Sequence, residues 1–208
     1  MMDNAFLRDA DVPLLLNVCS LPTVAPFLSR LYLGGNLFEG GAGVISIMRD
    51  VVCAPFSHAL RELDLSRNPG LGVEGAAALA AWLPKSDIKA LALSDCDFED
   101  AAGIALAGFA SAPTLLRLDL RRNNFGDGAA KALMVACGVG KAIEEAGPHH
   151  SGSSCGAEAD ARVRLMLDGN DGVSAALRQR AAEAEAAILA GWREKTSRSR
   201  TWRGNTWA

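Results

Sequence analysis

The leucines of this chain do not keep a single period. In "LRELDLSRN" they stand at 60, 63 and 65, spaced by three and then by two, and an asparagine follows at 68. The two-residue step is the alternation of a strand, and neither neighbouring interval continues it. The same phrase returns as "LSRLYLGGN" from Leu28 to Asn36, "IKALALSDC" from Ile88 to Cys96 and "LLRLDLRRN" from Leu115 to Asn123. A further copy, "RVRLMLDGN" from Arg162 to Asn170, has lost its first leucine, and a degenerate sixth is read at "LLLNVC", Leu14 to Cys19. The copies starting at 28, 60, 88 and 115 are 32, 28 and 27 residues apart, and the step to 162 is 47, so about twenty residues are inserted there.

A second phrase follows each Asn or Cys: "LFEGGAGVISIM" from Leu37, "LGVEGAAALAAWL" from Leu71, "FEDAAGIALAGF" from Phe98 and "FGDGAAKALMVA" from Phe125. An apolar residue, then an acid or glycine, then alanines with Leu or Ile on a helical period predicts a helix with an acid near its start, as at Glu74, Asp100 and Asp127. Each unit therefore predicts a short strand, a turn and a helix. The strands fall at 31–33, 63–65, 91–93, 118–120 and 165–167, neighbours in one parallel sheet. One unit cannot bury both faces alone, so units stack. The Asn turns inward, where its amide can bond loop backbone that has no partner of its own. Helices are wider than strands, so the stack curves with the strands inside.

In these features the chain resembles leucine-rich repeat proteins of the ribonuclease-inhibitor type: the period of 27–28, the "LxxLxLxxN/C" strand and the "GxxGAxxLA"-like helix all match. The resemblance implies an α/β solenoid of five to six repeats, a curved parallel sheet lined outside by helices, that binds other macromolecules. Five segments follow: 1–27 as an N-terminal cap or degenerate repeat, 28–138 as repeats, 139–161 as an inserted flexible loop, 162–195 as the last repeat and a cap helix, and 196–208 as a basic, Trp-containing tail. The cap helix is read from the stripe Leu177, Ala181, Ala184, Ile188 and Trp192.

With the frame fixed, the outward strand positions form columns. Arg30, Glu62, Ala90, Arg117 and Arg164 stand before the middle leucine; Tyr32, Asp64, Ala92, Asp119 and Met166 follow it. Next come Gly34, Ser66, Ser94, Arg121 and Asp168, then Gly35, Arg67, Asp95, Arg122 and Gly169. Two readings of these columns stand. The charges can pair with one another on a solvated surface, or they form a docking face with Tyr32, Arg117, Arg121 and Arg122 as contacts, Tyr and Arg being favoured at binding hot spots. Ala90 and Ala92 leave the middle flat, with room for a partner's backbone or helix.

Charge adds one asymmetry. Residues 193–208 carry a net +4, which leaves −7 on the rest of a chain whose total is −3. The tail holds Arg198, Arg200, Trp202, Arg203 and Trp207, and three fates are open to it: folding back on the acidic body, anchoring to a protein partner, or stacking on RNA. Chemistry is otherwise sparse. No phosphate loop, nucleophile elbow or zinc-protease motif occurs, so no catalytic residue, cofactor or metal is expected. His149, His150 and Cys155 come together in a Gly/Ser-rich stretch, which reads as a mobile loop and not as a four-ligand metal site. Five scattered cysteines without a Cys-x-x-Cys pair predict free thiols in a reducing compartment, the cytoplasm first. The absence of a long apolar run argues against a membrane span. The expected function is a non-catalytic interaction or structural subunit that binds through the concave face and the tail. The alternatives are a ribonucleoprotein subunit and a small-GTPase regulator, since activators of the Ran GTPase are built from this repeat class.

Overall fold

The computed structural model describes residues 6–19, 21–39, 41–47, 49, 60–111, 113–138 and 163–202, without the side chains of 110, 111 and 192–202. Its centre is a five-stranded parallel sheet of β1 (Arg30–Tyr32), β2 (Glu62–Asp64), β3 (Ala90–Ala92), β4 (Arg117–Asp119) and β5 (Arg164–Met166), ordered as in the chain. The register places Leu31, Leu63, Leu91, Leu118 and Leu165 side by side. Every expected strand is present, beginning one residue early. The reason is that pairing opens before the middle leucine, for example where Arg61 N–H donates to Ser29 C=O at 2.8 Å, and runs on past the strand, where Leu33 N–H donates to Asp64 C=O at 2.7 Å.

The inward leucines of all five strands are buried, and so are Leu60, Ile88 and Leu115 beneath them. In the fifth unit, which lacks that first leucine, the buried Val163 supplies the apolar contact. The convex layer consists of α2 (Ala42–Ile47), α3 (Gly72–Trp82), α4 (Asp100–Leu106) and α5 (Asp127–Ala136). Small residues set their spacing: a Cβ at Gly103 would stand 2.7 Å from the Ala129 Cβ and 2.8 Å from Phe125, so nothing larger than glycine lets α4 and α5 approach this closely. Phe38, Leu71, Phe98, Phe125 and Val173, one per unit, are buried between strand and helix.

The asparagines bind the units together. Asn123 donates from Nδ2 to Leu120 C=O in its own unit and to Leu93 C=O in the preceding one, both at 2.9 Å, while its Oδ1 accepts Cys96 N–H at 3.0 Å. Asn68 and Asn170 repeat the two donations, and Asn36 receives Leu7 N–H. The acids at the helix starts do more than face a helix dipole. Asp100 accepts Gly126 N–H and Asp127 accepts Ser174 N–H, each at 2.6 Å and each from the following unit. The bond from Ser174 holds the Asp127 carboxyl below its ordinary pKa.

Both ends depart from the expected boundaries. Leu14 to Cys19 is not a sixth strand: Val12–Cys19 forms helix α1, with Val12, Leu15 and Cys19 buried on one side. Their spacing of three and four is helical, and Pro13 sits in the first turn, where its missing N–H costs nothing. Residues 6–9 complete a cap of this end, since Arg8 bridges Leu37 in parallel and Asp9 accepts Glu39 N–H. At the other end, α6 runs from Ala175 to Trp202, well past the expected stop at 195. Thr196 to Trp202 contains no glycine or proline to end it, and the first glycine beyond is Gly204. Leu177, Ala181 and Ile188 of the expected stripe are buried. The insertion lies outside the described residues.

Candidate interaction face

The outward columns of the sheet lie as the repeat frame requires, and most of their charges already have partners in the chain. Tyr32 Oη donates to Glu62 Oε2 on the next strand at 3.0 Å, and this bond to a carboxylate raises the phenol's pKa. Asp64 accepts Ser66 N–H at 2.9 Å, an Asx turn that closes the end of β2. Asp119 does the same for Arg121 N–H and is also gripped by the Arg121 side chain, through Nε at 2.9 Å and Nη2 at 2.7 Å. That grip raises the guanidinium's pKa and occupies it. Arg122 Nη2 pairs with Asp95 Oδ2 at 2.6 Å across neighbouring units. Three of the four expected contact residues on this face therefore belong to internal pairs.

The exception is Arg117. Its side chain is exposed and makes no hydrogen bond or ion pair with any described residue. The register explains why. Its neighbour on β3 is Ala90, which has no charge to offer, and its neighbour on β5 is Arg164, which has the same sign. Ala90 and Ala92 are half-buried and form a floor without protruding side chains. Beyond that floor an open cleft of about 330 Å³ is lined by Ser94, Arg121, Arg122, Asp168 and Gly169.

Two features of this face were not legible beforehand. The whole column Gly35, Arg67, Asp95, Arg122 and Gly169 adopts left-handed backbone, with φ between 55° and 75°. The glycines at both ends of the column were the available signal. Met166, expected to face solvent, is instead 7 % exposed, and the groove beside it is lined by Ala181, Ala182 and Glu185 of α6. Helix α6 also meets Arg164, which forms an ion pair with Glu185. The cap helix thus covers the concave side of β5 as well as the end of the stack.

Of the tail residues, Arg198, Arg200 and Trp202 lie on α6. Arg203 and Trp207 lie outside the described residues, as do His149, His150 and Cys155. Among the described residues there is no cluster of metal-ligating side chains and no helix long and apolar enough to cross a membrane. Cys19, Cys96 and Cys137 are free and buried, and burial pushes the thiols of Cys96 and Cys137 up to about 12.

Comparison with known proteins agrees with this architecture. The family model described as "Leucine Rich repeat" matches residues 56–80, 86–107 and 111–134. It names the repeat and not the ribonuclease-inhibitor subtype. No curated protein matches the chain. Among solved structures, the tropomodulin C-terminal domain of Caenorhabditis elegans superposes with a TM-score of 0.59 at 12 % identity, covering 89 % of this chain and 98 % of that one. A structure titled "Leiomodin-1 Actin-Binding Site 2 (ABS2)" superposes with a TM-score of 0.60 at 11 % identity, covering 94 % and 96 %. At such identities the likeness speaks for the fold alone.

Proposed function

Since the chain is a leucine-rich repeat solenoid, we propose that it is a non-catalytic protein-interaction or structural subunit whose partner docks on the concave face over β3 and β4. The observation that carries this is Arg117, an exposed guanidinium with no partner among the described residues, beside a floor made by Ala90 and Ala92. Arginine supplies directed donors for a carboxylate, and a flat floor lets a partner approach close enough to be desolvated around that contact. A structural neighbour titled as an actin-binding site supports protein binding as the general mode. The free, buried cysteines support a reducing compartment.

Photo-crosslinking tests the reading. A benzophenone amino acid placed at Ala92 should trap one protein reproducibly, identified by mass spectrometry. The same group at Val135, exposed on convex α5, should not trap it. Trapping from 135 and not from 92 would move the interface to the helical side.

A further inference from the structure

Resting on the concave-face reading, we propose that the occupant of the β3–β4 floor is an α-helix that presents small residues to Ala90 and Ala92 and a carboxylate to Arg117. The chain carries its own template for this contact. Arg164 is the direct register partner of Arg117 and belongs to the same outward column. It is met by Glu185 of α6, and the alanines Ala181 and Ala182 of the same helix line the groove beside Met166. Helix α6 therefore shows what satisfies an outward arginine of this sheet: a helix with an acid among small residues. Arg117 has the same position one strand inward and lacks such a partner among the described residues.

Spacing agrees. β3 lies two strands from β5, about 9.6 Å at the usual strand separation. Packed helices lie about 8–10 Å apart. A helix over β3 would thus stand at packing distance from a helix over β5, with Arg117 of β4 between them. Ala90 and Ala92 leave the room that a helix needs: the same columns carry Glu62 and Asp64 on β2, and Arg117 and Asp119 on β4. Charge agrees as well. On β4, β5 and the turns after them the neighbouring arginines are committed, Arg121 to Asp119, Arg122 to Asp95 and Arg164 to Glu185, so the position open to a carboxylate beside the alanine floor is Arg117.

The probe is a fluorescein-labelled peptide of residues 175–191, added to the full-length protein and followed by anisotropy and by backbone amide shifts. Saturable binding with shifts centred on Ala90 and Ala92 is expected. Arg117→Glu should weaken it at least tenfold with an unchanged thermal melt. A peptide carrying Glu185→Arg should bind poorly to the native chain and recover on the Arg117→Glu protein. Binding indifferent to Arg117→Glu would overturn the proposal. So would shifts centred on β5, which would mean exchange with α6, or no saturable binding at all. The crosslinking arm separates the two readings. A protein trapped from position 92 while the peptide fails to bind would leave the concave-face reading standing and remove the helical occupant. Loss of trapping from position 92 would remove the concave-face reading itself.

Discussion

The Cys96 thiol donates to the carbonyl of Leu65 at 3.4 Å, in the slot where the flanking units place an asparagine amide. Asn68 donates from one Nδ2 to Leu33 and Leu65 carbonyls, at 3.0 and 2.8 Å, and its Oδ1 receives Phe38 N–H. A thiol has one weak donor and no comparable acceptor. Asn68→Ala should therefore cost about 1–3 kcal/mol, through backbone groups left without partners in the interior. Cys96→Ala should cost less. Urea melts of the two variants check the order, and an Asn68→Ala variant as stable as the native chain would remove the asparagine ladder from the account of stability.

Burial of Cys96 and Cys137 predicts a loss of stability in alkali. Both folded-state pKa values lie at about 12, against an ordinary value of 9.0. A raised thiol pKa means the folded chain holds its proton more tightly than the unfolded one. The contribution is complete below about 9 and is lost as pH climbs toward 12. Between about pH 8 and about pH 10 each thiol should surrender about 1 kcal/mol. Urea denaturation of the native chain and of Cys137→Ala at the two pH values measures it, and equal pH dependence in both would show that Cys137 does not contribute.

Backbone strain at the ends of the strands gives a third test. Arg122 has φ 55°, and Gly169 fills the same slot in the next unit. A Cβ at Gly169 would lie 2.8 Å from the Arg122 side chain. Arg122→Gly and Arg122→Ala both lose the pair with Asp95, which is largely exposed and contributes little. Only glycine relieves the left-handed strain. The glycine variant should be the more stable of the two by about 1 kcal/mol. Equal melting temperatures would mean that this turn relaxes freely.

The repeat frame was legible in the sequence because stacking forces every unit to solve the same burial problem with the same residue types. Leu31, Leu63, Leu91, Leu118 and Leu165 could be put in register from spacing alone. The N-terminal end escaped, because a cap replaces a unit without repeating it: "LLLNVC" carries strand-like leucines, but the buried set is Val12, Leu15 and Cys19. The candidate face was half legible. Columns follow from the period, whereas the fate of each charge depends on what stands across the sheet. Arg121 and Arg117 read alike in the sequence; one is gripped by Asp119 and the other faces an alanine. That Arg164 and Met166 lie under α6 could not be read, because a cap helix has no counterpart in the other units.

The last prediction separates the two halves of α6. Its first half seals the array: Leu177, Ala181 and Ile188 are buried, and Glu185 pairs with Arg164. An open last unit would expose Leu165, Leu167 and Met166, and repeat arrays without a polar-backed cap lose solubility. Ending the chain before Ala175 should therefore yield aggregated protein. Ending it after Gly191 removes none of these contacts, and the melting temperature should fall by no more than a few degrees. It does remove Trp192, Trp202 and Trp207 together with the arginines at 193, 198, 200 and 203. If this basic half is an anchor, as its composition suggests, the shortened chain should keep its fold while its co-purification with native partners weakens. Analytical gel filtration, thermal melts and quantitative co-purification of the two truncations decide it. Equal partner yield from the chain ending at Gly191 would leave the concave face as the interface under test.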